Sequence, residues 1–81
     1  MVTVKLFGTA RLKFNEKEVQ VEASTVKALT VVLAERYGVK DKDIRQFLIF
    51  VNDSNITALK MFRTKLNDGD IIMLLSPASG G

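Results

Sequence analysis

Between Ser24 and Gly38 the sequence carries one helical stripe, and that helix limits what the rest of the chain can build. Ser24 and Thr25 offer a hydroxyl N-cap for the unpaired amides of a first turn. Val26, Leu29, Leu33 and Tyr37 then recur at helical spacing with Val32 beside them, while Lys27, Thr30, Glu35 and Arg36 make the more polar side. Gly38 stands where a left-handed residue ends a helix. A helix of about three turns covers only one face of a sheet. The apolar runs on either side must therefore assemble into a single sheet beneath it.

Those runs are legible in order. Val2 to Phe7 alternates, with Val2, Val4 and Leu6 on one face, which is the period of a half-buried strand. Gly8 and Thr9 break it, and a loose segment through Phe14 leads to the polar turn Asn15-Glu16-Lys17. Glu18 to Glu22 alternates again with Val19 and Val21 inward, so the two runs are expected to pair as an antiparallel hairpin. Beyond the helix, Val39 to Gln46 reads as a solvated loop with Lys40 to Asp43 exposed and Val39 or Ile44 plugging the core. Phe47 to Val51 is an almost unbroken apolar run, as expected of an interior strand.

Asn52 to Asn55 supplies turn chemistry, Ile56 is placed at the start of a short fourth strand, and Leu59, Met61 and Phe62 form an apolar patch. Asn67-Asp68-Gly69-Asp70 is a tight turn that launches the last strand, Ile71 to Leu75. The resulting class is α+β: a mixed sheet of four to five strands with one main helix across one face. Its first and last strands are expected side by side and parallel at the centre.

Composition removes whole classes of chemistry. The chain has no Cys and no His, so thiol nucleophiles, imidazole bases and zinc sites built on either residue are excluded. At 81 residues and 47% hydrophobic it holds one core. Its net charge of +3 is scattered from Lys5 to Lys65 among nine acids, unlike the basic stripe with exposed aromatics that marks a nucleic-acid binder. No stretch approaches the roughly 20 apolar residues of a membrane span, and a cytoplasmic location is the expectation.

The chain leaves its last strand through Ser76-Pro77-Ala78-Ser79 and stops on Gly80 and Gly81. Residues 1–76 read as the domain and 77–81 as a flexible tail. With no Cβ on its last two residues, such a tip can enter a channel too narrow for a side chain, its carbonyl carbon open to attack. An apolar docking patch on the domain would accompany it, with Leu75, Leu59, Met61 and Phe62 as candidates.

This arrangement, with Val51-Asn52, Asn55-Ile56, Leu59, Thr64, Leu66, Asp68-Gly69-Asp70 and the closing Gly80-Gly81, resembles the ubiquitin-like β-grasp sulfur carriers. Within them it is most similar to the small subunit of molybdopterin synthase, the MoaD family, in its archaeal-type members. The resemblance implies a carrier, not an enzyme, whose chemistry sits on Gly81. A MoeB-like, E1-like enzyme would use ATP to adenylate the terminal carboxylate, and a persulfide sulfur would displace AMP to leave a thiocarboxylate. No cofactor or metal would be bound by the carrier itself.

By the same resemblance Pro77, Ala78, Ser79 and Gly80 would thread the channel of a larger, MoaE-like synthase subunit. The isolated carrier would be a monomer, and the synthase a heterotetramer making molybdenum or tungsten cofactor. No nucleic acid or membrane is implied. Many members carry an aromatic residue and Pro-Pro-Val before the last three residues, where this chain has Leu75-Ser76-Pro77-Ala78-Ser79. Carrier chemistry needs only the Gly-Gly end, so a ubiquitin-like protein modifier and a tRNA-thiolation sulfur carrier stand as alternatives. A plain interaction or RNA-binding domain of the same fold is a third.

Overall fold

The computed structural model describes residues 1–77. The elements run β1 (Val2–Leu6), α1 (Gly8–Phe14), β2 (Glu18–Val21), α2 (Val26–Tyr37), α3 (Asp41–Arg45), β3 (Leu48–Val51), β4 (Ser54–Asn55) and β5 (Ile71–Leu75). Two single-turn 3-10 helices, Ile56–Ala58 and Met61–Arg63, lie between β4 and β5. The strands form one sheet in the order β2-β1-β5-β3-β4. β1 and β5 are parallel neighbours at its centre, and every other pairing is antiparallel. This is the α+β architecture expected, with α2 lying across one face.

Alternation decides which side chains meet α2. Val2, Val4 and Leu6 of β1, Val19 and Val21 of β2, Ile49 and Val51 of β3, and Ile72 and Leu74 of β5 are all buried. They pack against Val26, Leu29, Leu33 and Ala34 of α2. The helix starts where the sequence suggests. Thr25 is its N-cap, its Oγ1 accepting from the Ala28 amide at 3.1 Å, and Gly38 closes it at φ 67°. Thr30, read as polar, is fully buried, and its hydroxyl donates to the Lys27 carbonyl at 2.8 Å, which lets it sit among apolar neighbours.

Three local expectations are corrected. The segment after β1 is not loose but helical from Gly8 to Phe14, with Ala10 fully buried and Asn15 ending it in the left-handed region. Phe14 stacks on Tyr37 at 4.4 Å between centroids and meets Phe47 edge-on at 6.0 Å, tying α1 to the end of α2. β1 and β2 are antiparallel partners, as expected, and the connection between them runs through this helix.

The supposed loop at Lys40 to Asp43 enters α3, whose start is fixed by the Asp43 carboxylate accepting from the Lys40 amide at 3.2 Å. Ile44 of α3 is the core plug. Ile56 opens a 3-10 turn instead of a strand, and the short fourth strand is Ser54–Asn55 just before it.

Both ends of the central pair are locked. At the start of β5, Asn52 takes φ 49°, accepts the Ile71 amide on Oδ1 at 3.0 Å and donates from Nδ2 to Asp70 at 2.9 Å. Asp70 in turn accepts the Asn67 amide at 2.8 Å, closing the Asn67–Asp70 turn. Met1 is held there as well, its carbonyl accepting from Gly69 at 2.9 Å and its ammonium bonded to Asp68. Among the described residues no helix is long and apolar enough to cross a membrane.

Candidate functional site

The inward set of each strand fixes the outward set. In β5, Ile72 and Leu74 face α2, so Ile71, Met73 and Leu75 point to the uncovered side of the sheet. Register extends this side laterally. Met73 stands opposite Lys5 of β1 and Phe50 of β3, Leu75 opposite Leu48, and Ile71 opposite Thr3. The result is an apolar strip along the central strand, widened by Leu48 and Phe50 and bordered by Lys5. Its exposure is substantial for such residues: 41% for Ile71, 36% for Leu48 and 40% for Phe7, which follows β1. A concavity lined by Lys5, Phe7, Ile71 and Met73 lies on this face.

At the end of the strip the chain passes into the tail. The last ladder partner of β5 toward β1 is Leu74, opposite Leu6, and the Phe7 amide donates to the Leu74 carbonyl at 3.0 Å. Ser76 then turns toward the start of α1. Its Oγ accepts from the Thr9 amide at 2.6 Å and lies 2.8 Å from Thr9 Oγ1. Gly8 makes room for it, with φ +58° and a backbone so close that a Cβ would lie 2.2 Å from Ser76 Oγ.

Of the residues singled out in the sequence, Leu75 lies on the strip and Pro77 follows the anchored Ser76, half-buried. Ala78, Ser79, Gly80 and Gly81 lie outside the described residues. Leu59, Met61 and Phe62 come from a different segment, between β4 and β5. Leu59 and Met61 are 41% and 44% exposed in the segment between β4 and β5, and Met61 sits at φ 51°. Phe62 packs against the core with the Arg45 guanidinium 5.6 Å over its ring.

Sequence reading missed Phe7, Leu48, Phe50, Ile71 and Met73. The available signal was the alternation of β1: once Val4 and Leu6 are assigned inward, pairing β5 beside β1 assigns Ile71, Met73 and Leu75 outward.

No group of His, Cys, Asp and Glu among the described residues is arranged to hold a metal ion. The Met1 ammonium, hydrogen-bonded to Asp68, titrates above its ordinary 8.0 and holds the Asp68 carboxyl below its ordinary 3.8. Burial and then the Glu16 carboxylate push the Tyr37 phenol up. None of these groups lies on the strip.

Comparison with known proteins follows the same lines. The sequence model of the ThiS family matches residues 4–81. No curated protein matches the chain significantly. Among solved structures the chain is similar to small archaeal modifier protein 1 (SAMP1) from Methanosarcina acetivorans, with 28% identity and a TM-score of 0.86 over 99% of this chain and 95% of that one. It is also similar to a chain of the complex of subunits 1 and 2 of molybdopterin-converting factor from Helicobacter pylori. There the identity is 32% and the TM-score 0.69, over 99% and 97% of the two chains. Urm1 from Trypanosoma brucei, 24% identical with a TM-score of 0.75 over 99% and 94%, shares the fold. The fold is the ubiquitin-like β-grasp.

Proposed function

We propose, from the premise that this chain belongs to the ThiS family, that it is the sulfur-carrying small subunit of a molybdopterin synthase. At the coarser level the chain is a ThiS/MoaD-like protein of ubiquitin fold, a sulfur carrier or modifier. The observation that carries the finer reading is the Gly80-Gly81 sequence beyond β5, the central strand that carries the exposed apolar strip. The 32% identity to a chain of the two-subunit molybdopterin-converting factor supports a larger, MoaE-like partner.

In this reading the Gly81 carboxylate attacks the α-phosphorus of ATP on an E1-like enzyme, and pyrophosphate leaves. The acyl-adenylate is an activated electrophile. A persulfide sulfur of the donor then attacks its carbonyl carbon, AMP departs with the bonding pair, and a second thiol cleaves the acyl disulfide to release the thiocarboxylate. The chain contributes the carboxylate, the narrow glycine tip and the docking strip, and the catalytic side chains belong to its partners.

The test is deletion of Gly81. ATP–pyrophosphate exchange with the E1-like enzyme is expected to vanish while the melting temperature stays unchanged, and intact mass of the cell-derived protein should show oxygen replaced by sulfur at Gly81. Undiminished exchange by the truncated chain would overturn the reading.

The likeness to an archaeal modifier favours one second use of the same activated end, an isopeptide bond to lysines of other proteins. Gly-Gly remnants traceable to this chain on such lysines are its expected signature. Transfer of the same sulfur to tRNA is the remaining alternative, read out as thiolated tRNA lost when Gly81 is deleted.

A further inference from the structure

We propose that Ser76, seated by Thr9 in the notch at Gly8, is a positioning residue that fixes where and in which direction the C-terminal segment departs for its activating enzyme. The inference rests on the carrier reading of Gly81 given above. β5 has no further ladder contact with β1 after Leu74, and Pro77 has no amide hydrogen with which to prolong one. Among the described residues, Ser76 is therefore the last on the path to Gly81 whose side chain is hydrogen-bonded to the domain. Two contacts hold it, the Thr9 amide at 2.6 Å and the Thr9 hydroxyl at 2.8 Å. Pro77 adds direction, because a residue preceding proline is confined to extended backbone.

The notch is specific to this pairing. Gly8 at φ +58° would bring any Cβ to 2.2 Å from the Ser76 hydroxyl and 3.2 Å from its Cβ, so the close approach exists only with glycine there. From the anchored Ser76, the five residues Pro77 to Gly81 reach at most about 17 Å. Releasing Ser76 moves the fixed point back into β5 and gives the segment at least one more free residue to order on each insertion. Ordering one residue more corresponds to about a five- to thirtyfold loss of correctly placed carboxylate. That loss falls on the step after docking, because the apolar strip is untouched.

The experiment compares wild type, Ser76→Ala and Ser76→Thr in the full chain. Amide hydrogen exchange at Thr9 is measured in the free protein, and ATP–pyrophosphate exchange with the E1-like adenylating enzyme of the same organism is resolved into kcat and KM for the carrier. Ser76→Ala is expected to deprotect the Thr9 amide and to lower kcat about five- to thirtyfold with KM unchanged. Ser76→Thr, which keeps the hydroxyl, is expected to restore both. Wild-type kcat in Ser76→Ala despite a deprotected Thr9 amide would overturn the positioning role, and so would a Thr9 amide indifferent to the substitution. Failure of the wild-type chain itself to support exchange would instead overturn the carrier reading, with the Thr9 amide still reporting whether the clasp exists.

Discussion

Gly8 and Ser76 constrain each other, because a Cβ on Gly8 would overlap the Ser76 hydroxyl. In Gly8→Ala the new methyl forces the Ser76 hydroxyl to rotate away, which breaks its bonds to Thr9, and the backbone must keep a left-handed φ that alanine disfavours. The expected cost is about 2 kcal/mol of unfolding free energy, roughly half from φ and half from the lost hydrogen bonds. In a Ser76→Ala background the second part is already gone, so Gly8→Ala should cost only about 1 kcal/mol there. Urea denaturation of the four proteins measures the difference, and equal costs in both backgrounds would show that the hydroxyl is not what the methyl meets. At the other cap the sequence left Ser24 and Thr25 open, and the bond from Ala28 selects Thr25. Thr25→Ala should therefore lower stability by about 1 kcal/mol, with Thr25→Ser close to wild type in the same assay.

Among the elements, β1 and β5 are fastened to each other at both ends, by the Met1–Asp68 contacts at one and by Phe7, Thr9 and Ser76 at the other. The first fastening depends on pH. The Met1 ammonium titrates above 8.0, so its contribution is complete below 8.0 and is lost as pH rises through the raised value. Asp68 titrates below 3.8, so its contribution is complete above 3.8 and is lost as pH falls through the lowered value. The pair stabilises the fold across the window between, weakly because both groups are exposed and screened by salt. Acetylating the amine removes the partner of both titrations, so it should flatten the alkaline fall in denaturation midpoint and also the Asp68 share of the acid fall.

The same elements show what the sequence could convey. β1, β2, α2 and β5 were legible because each buries a periodic set, such as Val2, Val4 and Leu6 or Val26, Leu29 and Leu33. α1 was not, because it has seven residues, buries Ala10 alone and leaves Leu12 81% exposed. Its helicity is set by distant groups, Ser76 at its start and Tyr37 beside Phe14 at its end. α3 is similar, with Ile44 its one buried residue. The exposed strip was hidden for another reason: Ile71 to Leu75 is apolar on both faces, so its hydropathy does not alternate, and only the placement of α2 distinguishes covered Ile72 and Leu74 from open Ile71 and Met73.

For the whole molecule, the proposed function divides the work between the strip, for recognition, and the glycine end, for chemistry. Fixing the backbone of Pro77 to Gly81 in a partner's channel costs on the order of 1–2 kcal/mol per residue, which offsets much of what the segment gains there. Net affinity should then come mainly from the sheet face, where Ile71, Met73 and Leu75 offer apolar area beside Lys5. A chain lacking Gly81 is accordingly expected to bind the E1-like enzyme about as well as wild type and to inhibit its exchange reaction competitively. Placing Ile71→Glu in that truncated chain sets an unpaired carboxylate against the docked surface, and inhibition should weaken at least about tenfold. The exposed position of Ile71 leaves the fold intact, which a matched melting temperature verifies. Met61→Glu, in the segment after β4, should leave inhibition as it was. If Met61→Glu abolished it and Ile71→Glu did not, the docking face would have to be moved from the open sheet to the segment between β4 and β5.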